Sequence, residues 1–504
     1  MSKWNLVKSI PIIFGISFTI FGLIARQYAF IFLALFSFIG FPIIYLILPK
    51  INEKHRHLWT LLLVVPLVIA TILFGFLARG TLPPNYASQV WVMHQIDNPG
   101  LPIPNGLDPA DVDKDGYLDY VTNYEWDGYL RIAFYPGPDK VNESWPTITV
   151  GKIDNAENAA FGDFDGDGNV DIVVAHGGEL FAHSGVLFIW GPDSSNVRNA
   201  SAWKQSGDIN GTENAGQFHC VRGHDVNGDG IDDVVVGGRG INPRAGLKWI
   251  ESPANAIDRR DLTKWKIYNI DPNLESGHGF EFGDLDLDGD EDIVLCNSDW
   301  DTLDSEEKIL YYENPGVGHP SQRETWTKHI IYQGSEFYSK EQVSLYDLSG
   351  DGYLDVIMQV EEYIYWFKNP GNKHDPWTLI KISKAQEARG RARPIKIGDI
   401  DGDGRPDILG MLIHYEGFLP ADKAAVFWMS YSGSNPESAE WKTNIIKWAD
   451  GFIGIGTYNG EKWDQCIFED VDRDGDMDIV ANCEEYHTLG FVFFAVVWFE
   501  NPSL

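Results

Sequence analysis

One nine-residue phrase, Asp-x-Asp/Asn/Ser-x-Asp-Gly-x-x-Asp, occurs seven times in this chain, opening at Asp111, Asp163, Asp225, Asp284, Asp347, Asp399 and Asp470. Successive openings lie 52, 62, 59, 63, 52 and 71 residues apart. A period of this size marks a repeat architecture, in which each unit buries its apolar face against its neighbours. The phrase itself reads as a calcium loop. Alternating carboxylates put hard oxygen ligands on one side of a tight turn, and Gly lets the backbone bend there. Four clustered carboxylates repel one another, and a plain turn has no need of them.

The expected ligands are the first, third, fifth and ninth residues of each loop. In chain order they are Asp111, Asp113, Asp115 and Asp119, then Asp163, Asp165, Asp167 and Asp171, then Asp225, Asn227, Asp229 and Asp233. The fourth loop offers Asp284, Asp286, Asp288 and Asp292, and the fifth Asp347, Ser349, Asp351 and Asp355. The last two offer Asp399, Asp401, Asp403 and Asp407, then Asp470, Asp472, Asp474 and Asp478. Asn169 is expected to add its carbonyl in the second loop. Asn227 and Ser349 are weaker oxygen ligands than Asp, so those two sites are expected to hold calcium less tightly. About seven structural Ca²⁺ sites result. An EF-hand is excluded, because the twelfth positions (Thr122, Val174, Val236, Leu295, Met358, Gly410 and Ala481) lack the required Glu and the flanks read as strands.

Two further signatures keep step with the loops. Aromatic strands end near Pro, as in Trp249–Pro253, Tyr312–Pro315, Trp366–Pro370 and Trp498–Pro502. Strands opened by Trp follow, at Trp145, Trp203, Trp265, Trp326, Trp377 and Trp441. Each unit is therefore four strands, with the acidic loop joining the first two, and radial repetition of such units gives a β-propeller. The last unit ends without a Trp-opened strand, and Trp91–Ile96 stands before the first loop. That strand is expected to complete the seventh blade and close the ring, removing exposed sheet edges.

The combination of calcium loop, aromatic-Asn-Pro strand and Trp-opened strand resembles the FG-GAP/VCBS repeat family of calcium-binding propellers, over about residues 90–504. Integrin α-subunit heads, many bacterial surface proteins and some polysaccharide lyases belong to that broad group. The resemblance implies an all-β, seven-bladed propeller with structural calcium. It leaves function open, since one fold hosts many activities.

Residues 1–81 differ in composition. Apolar stretches at about 9–25, 28–48 and 58–78 have the length of membrane spans, which predicts a three-helix transmembrane anchor followed by a propeller domain over 82–504. Lys3, Lys8, Lys50, Lys54 and Arg56 lie on one side, against Arg26 and Arg79 on the other. The expectation is a multi-pass membrane protein with membrane lipid as a partner, a cytoplasmic N-terminus and an extracellular or periplasmic propeller. Seven of the 39 basic and one of the 73 acidic residues fall in this segment, so the remainder holds 32 basic and 72 acidic residues, a net −40. Nucleic acid is excluded as a partner by that sign. Cys466 and Cys483 flank the last loop and could pair across its hairpin, or stand as buried thiols; Cys220 and Cys296 suggest no pairing.

In a propeller the first strand of each blade lines the central channel. The residue six before each loop is Asn105, Glu157, His219, His278, Glu341, Arg393 and Asp464, all polar or ionisable. Two residues further on, with the same facing expected, stand Leu107, Ala159, Val221, Phe280, Val343, Ile395 and Cys466. A polar ring above an apolar layer is a candidate ligand site. His219, His278, Glu341 and Arg393 are the candidate catalytic groups, as base, carboxylate clamp or ligands of a second metal in the mouth. Lys340, Arg391, Asn158, Gln342, Gln465 and Trp463 are candidate sugar contacts. Three readings stay open: a binding or adhesion module for a carbohydrate or protein, a polysaccharide lyase, and a structural part of an envelope complex. A water-filled polar mouth without a ligand fits the same residues.

Overall fold

The computed structural model describes residues 91–177, 183–239, 245–298, 307–316, 323–334, 342–372, 375–414, 423–449, 460–486 and 495–502. These residues are all-β and propeller-like, built from consecutive antiparallel four-stranded meanders. The unit carrying the loop at Asp163 is typical. Its strands are Ala156–Gly162, Asp171–His176, Gly185–Trp190 and Lys204–Asp208, and the acidic loop joins the first two. Units are numbered one to seven below by their loops. Five units form separate four-stranded sheets. Units six and seven share one eight-stranded sheet, because Asp407–His414 pairs with Gly460–Glu469 at Ile413–Lys462 and His414–Glu461.

The ends meet as their complementarity predicts. Val92–Asp97 pairs antiparallel with Val496–Glu500, placing Val92 opposite Glu500 and His94 opposite Trp498. His94 stacks on Trp498 with ring centroids 4.5 Å apart and meets Glu500 through Nε2 at 2.7 Å. Unit four repeats this device, with His329 on Tyr311 at 4.3 Å and on Glu313 at 2.8 Å.

The core lies between units. Each buried cluster joins two neighbours: Trp203 of unit two packs with Val112 and Phe134 of unit one, and Trp265 of unit three with Phe164 and Phe188 of unit two. A cluster of Ile96, Val471 and Trp498 with Leu107, Tyr120 and Trp145 joins unit seven to unit one. The opening Trp of the fourth strand is locked by its indole N–H. It donates to Val141 (3.0 Å), Val197 (2.8 Å), Arg259 (2.8 Å) and Pro436 (3.1 Å) carbonyls in four units. All four cysteines are buried free thiols.

The expected three-helix anchor over 1–81 lies outside the described residues. Among the described residues no helix is long and apolar enough to cross a membrane, and the helical elements are single 3₁₀ turns such as Pro138–Lys140. The expected multi-pass localisation and lipid partnership are corrected accordingly: what the fold presents is apolar surface paired in sheets and inter-unit clusters.

The seven loops share one backbone conformation. Position six is Gly throughout, with φ between 82° and 100°. Position four is also left-handed throughout, with φ between 61° and 73°. There it is Gly166, Gly228, Gly350 and Gly402, but also Lys114, Leu287 and Arg473. A side chain in that region costs roughly 1–2 kcal/mol, partly offset by the greater entropy Gly loses on folding. Leu287→Gly is expected to raise stability by about 0.5–1 kcal/mol. Gly402→Leu, where an added Cβ meets nothing within 4 Å, is expected to lower it by a similar amount. Denaturant titration of both variants checks this, and equal midpoints would remove the conformational argument.

Candidate functional site

Each loop is a cage of carboxylates held open by the backbone. The first Asp receives the amide N–H groups of positions five and six: Asp111 from Asp115 (2.9 Å) and Gly116 (3.0 Å), Asp399 from Asp403 (3.0 Å) and Gly404 (2.8 Å). The ninth Asp is buried, at 0 or 1 % exposure in all seven loops. In four loops it accepts N–H groups from the loop and from the end of the third strand, as Asp119 does from Val112 (3.1 Å) and Tyr135 (2.9 Å). Asp292, Asp355 and Asp478 do the same with Asn314, Asn369 and Asn501, each at 2.8 Å. Those are the Asn residues of the Asn-Pro signature.

The remaining oxygens converge. In the loops at Asp111, Asp163, Asp284 and Asp399, three carboxylate oxygens lie within 4.8 Å of one another. Asp113 Oδ1, Asp163 Oδ1, Asp171 Oδ2, Ser349 Oγ, Asp401 Oδ1 and Asp470 Oδ1 are buried without a hydrogen-bond partner among the described residues. Burial, and then the sister carboxylates, push the ninth Asp up: to about 8 for Asp171, Asp233 and Asp478, and about 7 for Asp119, Asp292 and Asp407. Orphaned hard oxygens at close range are the ligand set of a divalent cation. Neighbouring units supply part of the missing charge: Arg198 reaches Asp113 Oδ2 (2.5 Å) and Arg260 reaches Asp165 Oδ2 (2.5 Å).

At the opposite ends of the first strands the polar ring takes a form the sequence does not reveal. In units two, three, six and seven the pairing register slips at the same place, between Ala156 and Asn158, Phe218 and Cys220, Ala392 and Ile395, and Trp463 and Gln465. Glu157, His219, Arg393 and Asp464 are therefore bulge residues. A bulge re-aims a side chain, so they do not share a facing with the apolar layer two residues on. That expectation of a common facing is corrected. Asn105 and His278 precede the innermost strands of their units, and Glu341 lies outside the described residues, as does Lys340.

The described ring residues form one network. His219 Nδ1 lies 3.3 Å from Glu157 Oε2, and the His219 and His278 rings are 4.9 Å apart. Arg393 meets Asp464 at 3.6 Å, Lys462 meets Asp464 at 3.3 Å, and Lys462 meets Glu484 at 2.7 Å. Asn105 Nδ2 donates to Glu125 at 3.3 Å. Burial, with the charges of Glu157 and Glu484, pushes Glu125 up to about 8. Burial also pushes Glu157 up, but His219, Arg239 and His278 outweigh it and hold that carboxyl below its usual range. Among the expected sugar contacts, Trp463 is fully buried and Arg391 is exposed. Gln342 and Gln465 instead bind the units together, through Asp464 O (2.7 Å) and Leu107 N (3.0 Å). Asn158 accepts from Arg222 at 2.9 Å.

Three features escape the sequence reading. A cavity of about 260 Å³ continues from His278 past Asp108, Arg222, Glu281 and Lys396. These four charged residues stand three before their loops, a register not read there; burial pushes Asp108 up to about 6 against the pull of Arg222. Asn123, Gln359 and Asn482, one past the twelfth loop position, hold neighbouring backbone; Asn482 Nδ2 donates to Asn105 O at 2.7 Å across the ring closure. Trp126, in the turn after Glu125, is 66 % exposed. Its signal was its place in a polar Glu-Trp-Asp-Gly turn.

An all-β propeller-like repeat fold with cation-competent acidic loops defines the class. A family model described as FG-GAP-like repeat matches residues 102–174 and 347–410. Those two stretches carry FG-GAP-like repeats, in line with the resemblance. Comparison with curated proteins finds no match. Among solved structures it is similar to an Agrocybe aegerita lectin that recognises non-reducing terminal N-acetylglucosamine, at 14% identity and TM-score 0.43, covering 79% of this chain and 100% of that one. It is similar to BBS1N in complex with ARL6DN, at 12% identity and TM-score 0.42, covering 82% and 98%. The Dos1 propeller gives 9% identity and TM-score 0.41, covering 81% and 95%.

Beside the network, His414 is buried and its Nε2–H donates to Ala424 O at 2.6 Å. Burial lowers it to about 4. A His held neutral by the fold contributes stability above its ordinary value of 6.5, and that contribution is lost as pH falls from 6.5 through about 4. His414→Gln keeps a donor without the titration. Its denaturation midpoint is expected to fall less steeply than wild type over this window; parallel slopes would assign the acid sensitivity elsewhere.

Proposed function

We propose that residues 82–504 form one closed, seven-bladed propeller loaded with Ca²⁺ at its seven acidic loops, whose opposite mouth binds a carbohydrate. The observation that carries this reading is the repeated bulge. Four units break their innermost ladder at one position, and each break presents an ionisable group, Glu157, His219, Arg393 or Asp464, to a common network. Structural water alone needs no such repetition.

Asn105, His278 and Glu341 complete the proposed ligand ring. The exposed indole of Trp126 beside Glu125 supplies a platform for a sugar face, with the ring supplying hydrogen bonds to hydroxyls. Binding is favoured over lyase chemistry by the engagement of the charged groups. Arg393 is committed to Asp464 and His219 to Glu157, so neither base nor carboxylate clamp stands ready without rearrangement.

Calcium is proposed to brace the loops. An ion at 100 times its Kd adds about 2.7 kcal/mol per site. The full chain is expected to melt at lower temperature in EGTA than in calcium, and restoration by added Ca²⁺ checks the assignment. Melting indifferent to chelator would contradict it.

For the mouth, the full chain in calcium is tested on a glycan array and then by calorimetry. Trp126→Ala and Arg393→Ala are expected to weaken binding at least tenfold with melting unchanged for Trp126→Ala. Release of unsaturated uronate products, read by ultraviolet absorbance, would move the assignment to a lyase. Absence of glycan binding would transfer the mouth to a protein ligand.

A further inference from the structure

Unit two carries a cluster that neither the loops nor the mouth uses. His176 ends its second strand, His183 precedes its third, and Asp208 ends its fourth. His176 Nε2 lies 2.7 Å from Asp208 Oδ1, and His183 Nδ1 lies 3.4 Å from Asp208 Oδ2. The imidazoles are parallel to within 7°, with centroids 5.9 Å apart. One nitrogen from each ring and one carboxylate oxygen all fall within 4.8 Å of one another.

The backbone makes room for this arrangement. A Cβ on Gly185 would stand 2.5 Å from Asp208 Cγ. Gly177, beside His176, has φ of 116°, and a Cβ there would meet Ser184 at 2.2 Å. The carboxylate is thus seated against strand backbone that only Gly allows, with one imidazole buried and the other 61 % exposed.

We propose that His176, His183 and Asp208 form a binding site for a divalent transition ion of the zinc type, distinct from the calcium loops. Two imidazole nitrogens and one carboxylate suit zinc, whereas calcium takes oxygen ligands only. Ligand bonds of about 2.0–2.1 Å in tetrahedral array separate ligand atoms by roughly 3.3 Å, so the His176–Asp208 contact of 2.7 Å must open by roughly half an ångström or a little more, while the His183–Asp208 spacing of 3.4 Å already matches. The Asp208 carboxylate can only accept, so Nε2–H of His176 donates to it. Binding moves that proton to Nδ1 and frees the Nε2 lone pair for the ion. Three ligands would leave a fourth position to water or an incoming group. His176 pairs with Ala156, the neighbour of Glu157, which sets the ion one strand outward from the polar ring.

The test is a Co²⁺ titration of the full chain in saturating Ca²⁺, read by visible d–d absorption. One absorbing equivalent is expected, displaced by one equivalent of Zn²⁺. It should vanish in His183→Ala, whose exposed side chain leaves the fold intact, and in Asp208→Asn. No absorbing equivalent in wild type overturns the proposal. So does one that persists in both variants, or one lost in His219→Ala but kept in His183→Ala, which would put the ion in the mouth. The calcium-dependent melting of His183→Ala, unchanged from wild type, separates this result from failure of the propeller reading.

Discussion

The ninth Asp of each loop is the joint on which the rest depends. It is buried and begins the second strand, and in the loops of Asp119, Asp292, Asp355 and Asp478 its two oxygens receive amides from the loop and from the end of the third strand. One side chain therefore fixes the hairpin, the register of the following strand and one wall of the cation cage. The cost is a carboxylate in a dry place beside other carboxylates, visible as the upward displacement of all seven. Amide hydrogen bonds offset part of that cost. A divalent cation offsets more, because it acts on the four loop oxygens together. Removing the cation should thus disturb strand register as well as loop shape.

The Asn of the Asn-Pro signature extends this joint to the next unit. Asn369 Nδ2 donates to Leu354 O of its own loop region at 3.1 Å and to Leu285 O of the preceding loop at 2.9 Å. Asn501 does the same with Met477 O (3.0 Å) and Ile400 O (2.8 Å). The loop end of the ring is therefore stitched by amides, and the middle by apolar clusters shared between neighbours. A fully buried Val or Leu contributes roughly 1.5–3 kcal/mol. Each cluster holds many such side chains, so the clusters outweigh any single ion. On the proposed reading, calcium would brace what apolar burial assembles.

Much of this was legible because repetition averages out local ambiguity. The acidic loops, the four-strand unit, the Trp-opened strand and the pairing of Val92–Asp97 with Val496–Glu500 all follow from phase and complementarity. Position four of the loops was half legible: Gly at 166, 228, 350 and 402 signals a left-handed residue, but Lys114, Leu287 and Arg473 conceal it. The bulges at Glu157, His219, Arg393 and Asp464 left no signal, since a register slip depends on both strands. For the same reason Arg222 and Lys396 were missed; Asp108 and Glu281 stand in strands without a slip and lie an odd number of residues from the ring positions that were read. Counting by twos through a bulge assigns Arg222 and Lys396 to the wrong face. The fusion of units six and seven rests on the length of two strands, which composition does not set.

Division of labour between the two ends follows from this construction. The loop end supplies oxygen ligands in fixed backbone conformations, and seven near-identical copies leave little freedom there. Between the ends lies an apolar layer, Leu107 to Cys466, buried against adjacent sheets. Past that layer the bulged residues take no part in the ladder, so their identities can differ from unit to unit: Glu, His, Arg and Asp occupy one structural position. On the proposed reading, variation at such a position would change what the mouth recognises, while the hydrogen bonds that set register stay with Asn123, Gln359 and Asn482. Specificity, as proposed, and stability would thus be carried by adjacent but different side chains, a separation that lets a repeated scaffold hold an asymmetric set of charged groups.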